Sequence, residues 1–275
     1  LKNQPARKIN KTPSMKNKIV WITGASSGIG EAMVYAYNKL GAKLIISSRN
    51  RDELFRVKNN CKNQIDVHVL SLDLEDTDTL WVKVREATRI YGRIDILINS
   101  GGISQRSLAM ETDLATEQRL MNVNFWGTVI LSKAVLPQMI NQGEGAIICI
   151  SSLVGKFGTR FRSAYSASKH ALHGYFDSLR IEVDNPNIHI MLACPGFIKT
   201  KVTLNALTAN GTAQGTMDNA QDNGMLPEVF ANALMKAITD KKTEVYIGGK
   251  ETKGILIKRL FPTLFNKIIR KAKVT

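Results

Sequence analysis

Tyr165-Ser166-Ala167-Ser168-Lys169 sets a phenol and an ammonium four residues apart, a spacing that puts both on one face of a helix. A free phenol titrates near pH 10 and is poorly suited to proton transfer at neutral pH. A nearby cation favours the phenolate and lowers that value. The pattern is short enough to arise by chance. It occurs three times, at Tyr35/Lys39, Tyr165/Lys169 and Tyr246/Lys250. A hydroxyl that could hold a reacting oxygen separates them. Thirteen residues before Tyr165 stands Ser152; the same offset from the other two tyrosines falls on Ile22 and Ala233. Ser152, Tyr165 and Lys169 are the candidate catalytic group.

A second chemical pattern is the run Thr23-Gly24-Ala25-Ser26-Ser27-Gly28-Ile29-Gly30, spaced TGxxxGxG. Glycines let a backbone turn tightly against a pyrophosphate, and a helix that opens there offers unpaired N–H groups and a partial positive charge. The end of the next strand is where a dinucleotide's adenosine ribose would lie. A carboxylate there suits NAD, and a cation suits the 2′-phosphate of NADP. This chain reads Ser47-Ser48-Arg49-Asn50-Arg51, with no acid before Asp52. Arg49 can form charge-assisted hydrogen bonds to a phosphate, so NADP (NADPH) is favoured over NAD.

The elements that must position these groups alternate. Apolar runs predict strands over 18–23, 43–47, 66–70, 94–98, 145–150, 188–193 and 244–247. Periodic segments predict helices over 29–40, 51–62, 77–91, 114–141, 163–183 and 227–239. Such alternation means an α/β fold, one doubly wound parallel sheet with helices on both faces. Residues 201–225 are rich in Asn, Thr, Gly and Gln without a clear period and read as a mobile loop or lid.

The 275 residues suffice for one large domain. The net charge of +15 invites a nucleic-acid reading, but its distribution argues against one. Residues 1–18 hold six basic groups and no acid, and residues 250–275 hold eight basic groups and one acid. The stretch between is close to neutral, with 24 basic and 22 acidic residues. Three scattered cysteines fit reduced thiols rather than a disulfide framework or metal site. Met15 reads as a natural start, so residues 1–16 are expected to be a leader or flexible tail. Residues 17–250 would form the nucleotide-binding domain and 251–275 a basic amphipathic extension.

Taken together, the chain resembles the short-chain dehydrogenase/reductase family over about residues 17–249. The matching pieces are TGASSGIG (23–30), LDLED (72–76), NSGG (99–102), Asn124 in NVNFWG, ISS (150–152), YSASK (165–169) and PGFIKT (195–200). The resemblance implies a single Rossmann-like domain and hydride transfer between nicotinamide and a carbonyl or secondary alcohol. It implies that Tyr165 is the general acid or base, that Lys169 lowers its pKa and binds the nicotinamide ribose, and that Ser152 binds the substrate oxygen. Asn124 would interrupt its helix and hold a water linking Lys169 to solvent. Gly24, Ser26, Ser27, Gly28, Ile29 and Gly30 would cradle the pyrophosphate. Asp73 would bond the adenine with the Leu74 backbone beside it, and Asn99 and Gly101 would lie along the cofactor. Thr200 and the Ile198 backbone would fix the carboxamide. Where the family usually has NNAG this chain has Asn99-Ser100-Gly101-Gly102, a variant resembling membrane-associated reductases of lipophilic compounds. A homodimer or homotetramer is implied, with no nucleic-acid partner. The alternatives are an NAD-dependent dehydrogenase of the same fold and a non-catalytic dinucleotide-binding regulator.

Other residues carry weaker readings. His170 and His173 lie three apart on a helix, but no Cys or acid completes a metal set with them, so no metal is expected. Leu153, Val154, Phe157, Phe161, Phe197, Val202, Leu204 and Leu207 could line an apolar pocket beneath the lid. In the tail, Phe261, Leu264, Phe265, Ile268 and Ile269 form an apolar stripe among Lys267, Arg270, Lys271 and Lys273. Packing of that stripe on the body or on a second subunit is favoured over peripheral contact with an anionic membrane. The expected location is cytoplasmic, with membrane association as the variant.

Overall fold

In the computed structural model, residues 15–272 are described. Most of the expected leader lies outside them. Seven strands form one sheet: β1 (Ile19–Thr23), β2 (Lys43–Ser47), β3 (Val67–Val69), β4 (Ile96–Asn99), β5 (Gly145–Ile150), β6 (Ile188–Pro195) and β7 (Glu244–Ile247). All pair in parallel, in the order β3-β2-β1-β4-β5-β6-β7. The helices are α1 (Gly28–Lys39), α2 (Arg51–Asn59), α3 (Leu80–Tyr91), α4 (Leu114–Met121), α5 (Gly127–Gln142), α6 (Ser163–Glu182), α7 (Asn219–Asp222), α8 (Pro227–Thr239), α9 (Lys253–Leu260) and α10 (Pro262–Lys271).

A strand covered on both faces reads as a near-continuous apolar run, and β1 is buried throughout, apolar from Ile19 to Ile22 and closed by Thr23. Its alternate side chains feed two cores. Val20 and Ile22 join Leu44, Ile46, Met33 and Phe230 on one face. Trp21 joins Ile45, Leu97, Leu131 and Phe176 on the other. The expected doubly wound sheet is therefore present. Chain order reverses between β1 and β4, whose last residues Thr23 and Asn99 pair. The crevice at such a reversal is where ligands bind.

Several boundaries differ from the sequence reading. The helix expected over 114–141 is split by a π-helical turn, Asn122–Trp126. Helix α3 starts three residues late because Thr79 donates through its amide and hydroxyl to the Asp76 carbonyl, closing a turn first. Strand β6 runs on to Pro195, paired with Ile247. The 201–225 segment is built rather than irregular. It contains α7, buries Thr203, Ala206 and Leu207, and pairs Leu207 with Gln105.

Candidate active site

A cleft of about 1230 Å³ runs along the carboxyl ends of the strands. Its inner floor is the turn after β1. Gly24 has φ +65°, and a Cβ there would lie 2.7 Å from the Gly101 Cα. Gly28 has φ +58° and opens α1. Both conformations are strained for any residue with a side chain. Thr23 Oγ1 accepts from the amides of Ser100 and Gly101 at 3.2 and 3.3 Å, tying the loop after β4 to the glycine turn. Ser27 stands at the N-cap of α1 but makes no side-chain cap, and Ser26, Ser27, Ile29 and Gly30 line the cleft. A bare backbone facing a helix start fits a dinucleotide pyrophosphate.

Further along, Ser48 and Arg49 line the cleft after β2, as do Asp73 and Leu74 after β3. Arg49 is exposed. Arg51 instead stacks over Phe55, 5.5 Å from the ring centroid. Asn50 caps α2 by accepting from the Glu53 amide at 3.1 Å. Asn99 is turned away from the cleft. Its side chain is 3% exposed and donates to Ser132 Oγ at 3.0 Å, so it braces β4 against α5 rather than lying open along the groove.

Ser152 follows β5 and caps a short turn, its Oγ accepting from the Val154 amide at 3.3 Å. Tyr165 sits in the first turn of α6 and Lys169 one turn later. All three line the cleft. The Lys169 ammonium donates to the Ile150 carbonyl at 2.9 Å and lies 5.9 Å from the Tyr165 ring centroid. Burial lowers the Lys169 pKa to about 8. Burial also raises the Tyr165 pKa, opposed first by a hydrogen bond with Ser152 and then by the charges of Arg162 and Arg106. Desolvation is the largest influence on the phenol, and the charges of Arg162 and Arg106 oppose it.

Asn124 is fully buried in the π-helical turn. Its Oδ1 accepts from the Ile103 amide at 2.9 Å, and its Nδ2 donates to the Ile103 carbonyl at 2.9 Å and to Ser168 Oγ at 3.0 Å. It thus joins the loop after β4 to the helix carrying Tyr165. Thr200 lines the cleft after β6, and Gln221 of α7 donates to Thr200 Oγ1 at 3.3 Å and to the Ile198 carbonyl.

Motif reading missed Gln105, Arg106, Arg162, Asp218 and Gln221. All are buried or nearly so. The only signal in the sequence is their polarity within segments that flank the motifs. Of the expected apolar lining, Phe161 and Leu204 are absent from the cleft wall. Phe161 adopts φ +65°, and its ring stacks under Arg160 at 4.8 Å. The tail supplies replacements: Ile257, Phe265, Ile268 and Ile269 line the outer end.

The tail also packs on the body, the favoured reading. Phe265 is buried with Phe157, ring centroids 5.0 Å apart. Its other side stays bare, with Leu260, Phe261, Leu264 and Ile268 each about half exposed. No helix among the described residues is long and apolar enough to cross a membrane.

One expectation about metals needs correction. Residues distant in sequence do complete a set with His173: Cys194 and Glu244 bring ligand atoms within 4.8 Å of one another. The Lys156 ammonium holds Glu244 at 2.9 Å, and burial pushes the Cys194 thiol up to about 12. A cation and a protonated thiol both oppose metal binding.

The family defined by this fold and cleft is borne out by comparison. The short chain dehydrogenase family matches residues 18–210. A dehydrogenase/reductase SDR family protein 7-like from Anopheles gambiae is 40% identical over 267 residues, covering 94% of this chain and 83% of that one. Human dehydrogenase/reductase SDR family member 7 is 38% identical over 239 residues, covering 85% and 70%. Among solved structures, a short-chain dehydrogenase from Streptomyces avermitilis superposes with a TM-score of 0.77 at 26% identity, over 93% of this chain and 98% of that one. A short chain dehydrogenase/reductase from Burkholderia phymatum in complex with NAD gives 0.81 at 20% identity, over 92% and 96%. The chain belongs to the short-chain dehydrogenase/reductase family. It is an NAD(P)-dependent oxidoreductase acting on small molecules.

Proposed function

We propose that this enzyme reduces lipophilic ketones, or oxidises the matching secondary alcohols, with NADP(H) preferred over NAD(H). One observation carries the reading: Ser152, Tyr165 and Lys169 share a single cleft with the glycine turn at one end and an apolar wall at the other. When bound, the dinucleotide supplies or accepts the hydride. The chain's own residues do the rest. The Tyr165 hydroxyl gives its proton to the carbonyl oxygen in reduction and takes it back in oxidation. Ser152 holds that oxygen. Lys169 stabilises negative charge on the phenol oxygen and binds ribose hydroxyls.

Around the cofactor, Asp73 and the Leu74 amide face the adenine, while Gly101 borders its path. Thr200 and the Ile198 backbone orient the carboxamide. Asn124, fixed by Ile103 and Ser168, anchors a water behind Lys169. Arg49 supports the NADP preference by standing exposed at the cleft beside neutral Ser48 and Asn50. The bare ridge of α9 and α10, flanked by Lys253, Arg259, Lys267 and Arg270, suits peripheral contact with anionic lipid, and the functional unit is a homodimer or homotetramer.

The test is a panel of ketones and alcohols followed by nicotinamide absorbance with each cofactor. Tyr165→Phe should abolish turnover and leave NADPH binding nearly intact. Arg49→Ala should weaken NADPH far more than NADH. Full turnover by Tyr165→Phe refutes the proton-transfer role, and equal weakening of both cofactors refutes the phosphate role.

A further inference from the structure

Three charged side chains from three separate segments meet beside the catalytic phenol. Arg106 comes from the loop after β4, Arg162 from the residue before α6, and Asp218 from the residue before α7 in the 201–225 segment. Their side chains are 5 to 7% exposed. Arg106 Nε donates to Asp218 Oδ2 at 2.8 Å, and its Nη2 donates to the same oxygen. Arg162 Nη2 reaches that oxygen at 3.4 Å. Arg106 is further fixed by donating to Ser104 Oγ at 2.9 Å and to the Gln105 carbonyl. Both guanidiniums line the same cleft as Tyr165.

A charge buried this deeply is costly unless compensated. Asp218 is the compensating group, and it rides on the segment that covers the cleft. The segment is also tied by backbone bonds, such as Leu207 to Ser104 and Arg106 to Leu207 at 2.9 and 2.8 Å, by Gln221 to Thr200 Oγ1 and by an exposed Lys199–Asp222 pair, but its buried ionic tie is the one through Asp218. Gln214 also donates to Asp218 Oδ1 at 3.2 Å, bracing the carboxylate from within the segment.

We propose that Asp218 and Arg106 are positioning residues for proton transfer at Tyr165: their ion pair latches the 201–225 segment over the cleft and sets the charge that the phenol meets there. This rests on the proton-transfer role given to Tyr165 above. With the latch closed, one carboxylate faces two guanidiniums. With the segment lifted, the carboxylate leaves and the guanidiniums remain, so the phenol becomes more acidic while the cleft is open. The charged groups facing the phenol are Arg162 from the start of α6, Lys169 one turn on and Arg106 from the loop after β4. The turn after β5 contributes the neutral hydroxyl of Ser152. Lys201, Glu251 and Lys253 line the same cleft and are unchanged in every variant below, so their influence cancels. The direction agrees with the two arginines opposing the burial-driven rise in the Tyr165 pKa.

The test does not depend on turnover. Tyrosinate absorbance is titrated in the full chain, and Tyr165 is isolated by subtracting the titration of the matching Tyr165→Phe protein. Asp218→Asn should lower the Tyr165 midpoint by roughly one pH unit, the scale of one charge near a titrating group. Arg106→Gln should raise it by a similar amount. Arg106→Lys keeps the charge but loses the forked contact, so its midpoint should stay near wild type. Proteolysis within 201–225 should quicken several-fold in all three. Opposite shifts for Asp218→Asn and Arg106→Gln sustain the proposal. Shifts of one sign, or none, overturn it, because general loosening of the site would move both variants the same way. An enzyme that titrates as expected yet reduces no carbonyl would refute the catalytic reading and leave the latch standing.

Discussion

The Gln105 side chain accepts a hydrogen bond from the backbone amide of Tyr165 at 3.2 Å, and another from Ala164 at 2.9 Å. The first amides of a helix have no partner within it. Here a fully buried residue some sixty positions earlier supplies one. Its amide nitrogen donates to the hydroxyls of Ser107, Thr112 and Ser163 at 3.1 to 3.2 Å. The loop after β4 therefore fixes where α6 begins, and with it the height of the phenol above the sheet.

Replacing Gln105 by Leu should cost about 2–3 kcal/mol, because buried amides and hydroxyls lose their partner. Turnover should fall about tenfold or more through misplacement of the phenol, since small displacements of catalytic groups are expensive. Urea unfolding and steady-state kinetics on one preparation check both. A loss of stability with kcat unchanged would sever the link to Tyr165.

Lys169 is held near a pKa of 8 against an ordinary 10.5. Between those values the unfolded chain keeps a proton that the folded chain has released, so stability rises with pH across that window. Below pH 8 the cost of burying the ammonium is present in full. Lys169→Met should therefore be inactive yet more stable at pH 7, by at most about 3 kcal/mol at 1.36 kcal/mol per unit. That advantage should shrink as pH rises from 8 to 10.5. Denaturant midpoints at pH 7 and 10 measure it.

His173 gives the same sign of slope on the acid side of neutrality. Its Nε2 lies 3.0 Å from Ser151 Oγ, its Nδ1 has no hydrogen-bond partner, and burial depresses its pKa from 6.5 to about 4. As pH falls through 6.5 the unfolded chain takes up a proton that the folded chain refuses until about 4. Stability is lost over that interval and levels off below it. His173→Gln should remove this component, at most about 3 kcal/mol. Unfolding of both proteins at pH 7 and pH 5 gives the comparison, with the wild type losing more.

Phe265→Ala removes the ring that joins α10 to Phe157, Leu153 and Cys194. Emptying a buried aromatic site costs about 3–5 kcal/mol. The satellite cluster is small, so the loss should fall on the local stability of α9 and α10 and leave the main transition largely in place. Hydrogen exchange should quicken across residues 253–271, with the rates in β1 and β4 unchanged.

The sheet was legible because a fully covered strand such as β1 is apolar along its covered length, here from Ile19 to Ile22, and that pattern survives in one dimension. Ser152, Tyr165 and Lys169 were legible because one helical turn and a fixed offset from β5 bring them together. The brace made by Asn99 was not legible, because an Asn at a strand end serves equally as a cofactor contact or as a brace, and only the position of Ser132 shows the second. The Arg106–Asp218 pair spans 112 residues of chain, and no local spacing encodes it. The same holds for His173, Cys194 and Glu244. The 201–225 segment lacked periodicity because its order comes from polar side chains bonding to other segments, not from a repeating apolar face.

The wide turn at Asn122–Trp126 adds one residue to a helical cylinder that would otherwise run unbroken from Leu114 to Gln142. Each residue of an α-helix advances by about 100°. The insertion is thus a phase offset: α4 is rotated relative to α5, with Arg119 aimed at Glu75 and Asn124 aimed at Ile103. Deleting any single residue between 122 and 126 would let the cylinder revert to regular winding and swing one of those aims off target. A one-residue deletion here is a frame error in space, whereas the same deletion in an exposed turn merely shortens a connection.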